Sequence, residues 1–173
     1  MEYKSMPETM PMEVLQENIN KMKARLEVEE KMNDILRRQI YENACEVKRE
    51  FREKVRPTIR ATIEACHDLI KKMDDAGDEL EYPQCQFIKK FNTLSIKVMS
   101  HAYNKSLPEA KKYFQKTREL LDEFTEAYEE DKEGIEVMNN NIKGLLTLLM
   151  TVKKTCDADE DFKAHKERKH NKA

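Results

Sequence analysis

From Phe114 to Cys156 the apolar side chains return at alternating steps of three and four. The series is Phe114, Thr117, Leu121, Phe124, Tyr128, Asp131, Ile135, Met138, Ile142, Leu145, Leu149, Val152 and Cys156, with only Thr117 and Asp131 polar. In a chain that is 39% apolar, so long a match in one frame arises by chance about once in a thousand. A heptad seam of this length predicts a helix laid along another helix.

The same period recurs upstream. Met12, Leu15, Ile19, Met22 and Leu26 open a first helix expected over 12–56. Its frame weakens where Glu29 and Asn33 fall on the seam while Val28, Met32 and Ile35 lie beside it. It resumes through Leu36, Ile40, Ala44, Val47 and Phe51, and the step from Ile40 to Ala44 reads as a stutter. Pro57 cannot donate to residue 53. The pattern nevertheless crosses it through Val55, Ile59, Thr62, Cys66, Leu69, Met73 and Ala76, which predicts a kink and a second helix over 57–76. Gly77 supplies the stop, and Pro83 forbids continuation.

A third helix is expected over 84–105, with Phe87, Ile88, Phe91, Leu94, Val98 and Ala102 on one face; Lys89, Lys90 and Thr93 interrupt the period a strand would need. Ser106 and Glu109 have capping-box spacing, and Pro108 fits a first helical turn. A fourth helix is therefore expected over 107–156, with a local bend or break near 131–134, where Asp131 precedes Gly134. Helices one and four would be rods of about 70 Å, and two and three rods of about 30 Å.

Pro57 and Pro108 lie nearly the same distance from the turn at 77–83. Closing the chain there predicts an all-α fold: a long antiparallel helical hairpin or coiled coil with proline joints near 57 and 108. In it helix one pairs with helix four, and helix two with helix three. The alternative folds the short pair back into a four-helix bundle. Around this helical hairpin domain, spanning 12–156, residues 1–11 read as a flexible N-terminal segment. Residues 157–173 read as a disordered tail, acidic at Asp157, Asp159, Glu160 and Asp161, then basic from Lys163 to Lys172. That basic run suits a solubilising end, a nuclear-import signal or a contacting arm.

Composition narrows the class. Three glycines, no tryptophan and 38% charged residues suit long helices and leave little for ligand-cradling loops. The balance of 34 acidic against 32 basic residues argues against a dedicated nucleic-acid binder and a basic membrane-surface protein. No apolar run reaches the ~20 residues a membrane span needs, and the start lacks a signal-peptide pattern. A cytoplasmic protein is expected, with Cys45, Cys66, Cys85 and Cys156 as scattered thiols on helix faces.

Catalytic patterns are sparse. Glu64 and His67 form an E-x-x-H, as bundle metal sites use, but the only second match, Glu167 and His170, lies in the tail. Cys66 and His67 are adjacent and point about 100° apart, too divergent for a nucleophile and its base. No nucleophile elbow, phosphate loop or dinucleotide fingerprint occurs. The chain therefore reads as a non-enzyme, with no catalytic residue, cofactor or metal expected.

Around the seam residues Leu145 (d) and Leu149 (a), Leu146 and Leu148 instead occupy e and g, positions that two-stranded coiled coils usually fill with charges. Leu145, Leu146, Leu148 and Leu149, with Leu15, Ile19, Met22 and Leu26, are the expected partner-binding residues. The expected function is a coiled-coil subunit or adaptor of an intracellular complex, of cytoskeletal, kinetochore-like or vesicle-tethering type. It would pair with other coiled-coil proteins or with itself. A lipid-binding amphipathic bundle is the alternative and a bundle metal protein the third reading.

Overall fold

The protein is seen here in a computed structural model that describes residues 11–77 and 83–171. The lead-in before Pro11, most of the turn at 77–83, and Lys172 lie outside the described residues. Among those described, every regular element is helical. The all-α antiparallel architecture read from the periodicity is what forms.

Helix α1 (Met12–Glu50) passes through a π-turn (Phe51–Val55) into α2 (Arg56–Ala76) without a break. Pro57 explains the π-turn. It has no N–H for the Glu53 carbonyl, and its ring would press against that oxygen. The chain widens one turn ahead of it, so that the Arg56 N–H reaches back five residues to the Phe51 carbonyl. The expected kink is thus realised as a local widening, and Phe51 and Ile59 on either side are both 3% exposed. Gly77 then closes α2 with a positive φ of 48°, its N–H donating to the Met73 carbonyl.

Helix α3 (Gln84–Tyr103) is followed by a tight turn and α4 (Leu107–Ala127). In that turn Lys105 takes the left-handed position, at φ 57°. The Ser106 N–H donates to the His101 carbonyl at 2.9 Å, and the Lys105 N–H to the Ala102 carbonyl at 3.0 Å, the paired closure of a helix end. Pro108 sits in the first turn of α4 as expected, but the Ser106 hydroxyl makes no capping bond. The capping box with Glu109 does not form.

The expected fourth helix is two helices. It breaks at residues 128–131, and α5 (Lys132–Asn171) starts anew. Asp131 accepts the Gly134 N–H at 3.0 Å and caps the new helix. Gly134 leaves room for that carboxylate, because a Cβ there would lie 2.7 Å from Asp131 Oδ2. We expect Asp131→Ala to lower stability by about 1 kcal/mol, read by urea denaturation. A change within error would show that the cap is solvated rather than structural.

Residues 43–171 adopt the bundle arrangement. Phe51, Ile59, Val98, Met99, Ala102, Ala110, Phe114, Leu145, Leu149 and Val152 form one apolar cluster. Phe91, Leu120, Leu121, Phe124 and Met138 form a second. Phe114 shares the first cluster with Leu149 and Phe124 the second with Met138, which sets α4 and α5 antiparallel. The seam from Phe114 to Cys156 is therefore buried or half-buried throughout, but its two halves face each other and α3.

The tail is also corrected. Residues 157–171 continue α5 as helix. Thr155 is 1% and Ala158 5% exposed, and Asp159 takes Lys105 at 2.7 Å and Lys48 at 3.4 Å. Lys48 also stands 3.9 Å from the centre of the Phe162 ring. Composition suggested disorder; these contacts with the bundle end supply the order.

The described chain divides into two compact units between Glu42 and Asn43. The first is the opening stretch of α1, with Met22 69%, Leu26 57%, Met32 58% and Leu36 52% exposed.

Candidate interaction surfaces

Two surfaces, one in each unit, are unusual enough to carry function. The first is the face of α1 over residues 12–40. Met12, Ile19, Met22, Leu26, Leu36 and Ile40 are exposed, and Leu15 is half-buried. All fall on one heptad frame, with Glu29 and Asn33 filling the two remaining seam positions. Several polar side chains beside and outside the seam are satisfied within the helix. Lys21 pairs with Glu17 at 3.5 Å, Arg37 with Asp34 at 4.0 Å, and Gln16 donates to Asn20 at 3.2 Å. Such pairs add a few tenths of a kcal/mol each, enough to favour the helix but not to cover its apolar side.

The second surface is a groove of about 560 Å³ between α2 and α5, with α3 contributing Ser95 and Met99. Val55, Ile59 and Cys66 line one side; Gly144, Leu145 and Leu148 line the other. The threonines along it spend their hydroxyl protons locally. Thr58 and Thr62 donate to Lys54 and Thr58 carbonyls at 2.8 Å, Thr147 to Lys143 at 3.0 Å, and Thr151 to Thr147 at 3.1 Å. The groove is accordingly less polar than its residue names suggest. Burial holds the Cys66 thiol above its ordinary pKa, and burial together with the nearby Asp159 does the same at Cys156. Both thiols are thus poor nucleophiles at neutral pH, and all four cysteines are unpaired.

The expected partner-binding residues are now placed. Leu15, Ile19, Met22 and Leu26 lie together on the α1 face. Leu145 and Leu149, at 7% and 4% exposure, belong to the bundle core. Leu148 is half-buried at the groove, and Leu146 is 47% exposed. The four leucines do not act as one surface, because Leu145 and Leu149 share the core cluster with Phe114 of α4, Met99 of α3 and Phe51 of the π-turn. Sequence reasoning missed the groove, whose walls come from helices far apart in the chain.

Glu64 and His67 are both exposed on α2. Glu64 shares a shallow cleft with Arg52, Arg56, Arg60 and Tyr103, where the Arg56 guanidinium lies 4.1 Å from the Tyr103 ring centre. No three His, Cys, Asp or Glu side chains converge as a metal site would need among the described residues. No helix among them is long and apolar enough to cross a membrane. No protein-family model, curated protein or solved structure matches this chain.

Proposed function

We propose that this protein is a non-enzymatic assembly subunit of the cytoplasm. Residues 12–40 would form its docking helix, and the bundle of 43–171 its folded body. One observation supports this above the others: one helical stretch, 12–40, carries mostly exposed apolar side chains at every seam position except Glu29 and Asn33. An isolated helix gains little from propensity alone and is stabilised mainly by burying such a face. A contiguous exposed stripe is a place where another protein sits. Four unpaired thiols suit a reducing compartment.

The test is the mass of the native assembly. Full-length tagged protein from its own cells is expected to run well above its 20.5 kDa. Ile19→Glu with Leu26→Glu should return it to monomer mass while near-UV circular dichroism of the bundle tyrosines stays unchanged. An assembly of the same mass in the double variant would defeat the proposal.

A further inference from the structure

We infer that the α1 face binds a second copy of this chain, parallel and in register, with Asn33 fixing the alignment. The inference rests on the proposal that this face is a docking surface; it adds what docks.

The frame assigns Met12, Ile19, Leu26, Asn33 and Ile40 to position a, and Leu15, Met22, Glu29 and Leu36 to position d. Ile at a with Leu at d favours two parallel strands, and a single Asn at a specifies register and stoichiometry. The two polar seam residues decide the direction. In a parallel pair each layer meets itself, so Asn33 faces Asn33 and the amides can satisfy each other as donor and acceptor. An antiparallel pair overlapping the same span sets Met22 against Asn33 and Leu26 against Glu29. That buries polar groups against apolar ones, which is costly without a partner.

Charge agrees. Across a parallel pair the g residue of one helix meets the e residue of the next heptad on the other. Here Arg25 meets Glu30, twice by symmetry, while Asn18 meets Lys23 and Met32 meets Arg37. No like charges meet at these flanking positions. Within the described chain Arg25 and Glu30 make no ion pair, whereas Glu17 and Lys21, at outer positions, pair with each other. Arg37, the other charge at an e position beside Met32, reaches Asp34 at 4.0 Å, so the complementary flanking pair left for a partner is Arg25 with Glu30.

The frame also stops in a telling place. Ile40 is its last a position; the next d would be Asn43, but the next buried residue of α1 is Ala44. The division between the units falls at that phase shift. Residues 12–40 therefore follow a different register from the helix end that packs into the bundle, as expected if they serve a different interface. Val28 and Ile35 stand at outer c positions, where single exposed apolar side chains need no cover.

Glu29 is the one unfavourable layer, since two carboxylates meet there. It provides the sharpest test. The purified full-length chain should sediment as a dimer at about 100 µM. Glu29→Leu should tighten that dimer by about tenfold or more, because it replaces a repulsive layer with an apolar one. Met22→Cys should give a covalent dimer on oxidation beyond that of the wild type, since homologous d residues adjoin only in a parallel, in-register pair. A monomer, a stoichiometry other than two, a weaker Glu29→Leu dimer or no added cross-link would each overturn the inference. A monomeric purified chain whose cellular assembly is still lost with Ile19→Glu and Leu26→Glu would overturn self-pairing alone, leaving the docking face to another protein.

Discussion

Phe124→Ala should lower the unfolding free energy of the bundle by about 3–5 kcal/mol, the range for deleting a fully buried aromatic ring. Phe124 is 0% exposed. Its ring lies 5.7 Å from Phe87 in an edge arrangement and 5.3 Å from Tyr128, while Phe87 and Tyr128 are themselves 5.6 Å apart. The three rings join the start of α3, the end of α4 and the turn into α5. Removing the central ring leaves a cavity between helices that are held on several sides and cannot readily collapse. Edge contacts between rings add about 0.5–1.5 kcal/mol beyond area alone. Phe124→Leu keeps most of the volume and should cost less than half as much. Urea denaturation followed by near-UV circular dichroism measures both. A loss under about 1 kcal/mol for the alanine variant would mean the cluster repacks.

How far could this have been read from the chain? The buried set was legible to an unusual degree. Every seam position from Phe114 to Cys156 is buried or half-buried, including Thr117 and Asp131. Chain direction was hidden. The reversal at 128–131 occupies about one helical turn, so the steps from Phe124 to Tyr128, Asp131 and Ile135 keep their three-four rhythm while the helix stops and returns. Periodicity records which side chains are covered, and it is blind to a loop whose length matches the period. Asp131 and Gly134 held the missing signal, since an Asp three residues before a Gly fits a cap and a site with room for it.

The other errors share a cause. The tail looked disordered because 157–171 lacks an apolar period. Its order comes from a few specific contacts, Asp159 with Lys105 and Lys48, and Lys48 with Phe162, which a window of composition cannot register. The left-handed Lys105 is likewise set by its turn, against its own preference. Pairing of helices one and four was partly legible. Phe51 does share a cluster with Leu149 and Val152, whereas Met22 and Leu26 remain exposed. The stutter after Ile40 separated the two cases, because a change of register within one helix marks a change of partner.

Adjacent leucines on α5 offer the most direct check of how that helix is turned. Leu149→Asp should abolish cooperative folding of the bundle, because it buries a charge at a site 4% exposed and leaves it unpaired, a cost of about 4 kcal/mol or more. Leu146→Glu, three residues away but 47% exposed, should stay within about 0.5 kcal/mol of wild type. Leu148→Glu belongs between them, since its half-buried side chain sits at the groove where a longer carboxylate can reach water. With Leu145 and Leu149 turned into the core, the position of Leu146 makes it a probe of the α5 surface alone. Native mass of Leu146→Glu therefore separates the α1 face from the exposed face of α5. An assembly lost in this variant and kept in Ile19→Glu with Leu26→Glu would move the docking face from α1 to α5. If Leu146→Glu unfolded the bundle as fully as Leu149→Asp, the register assigned to α5 would itself be wrong.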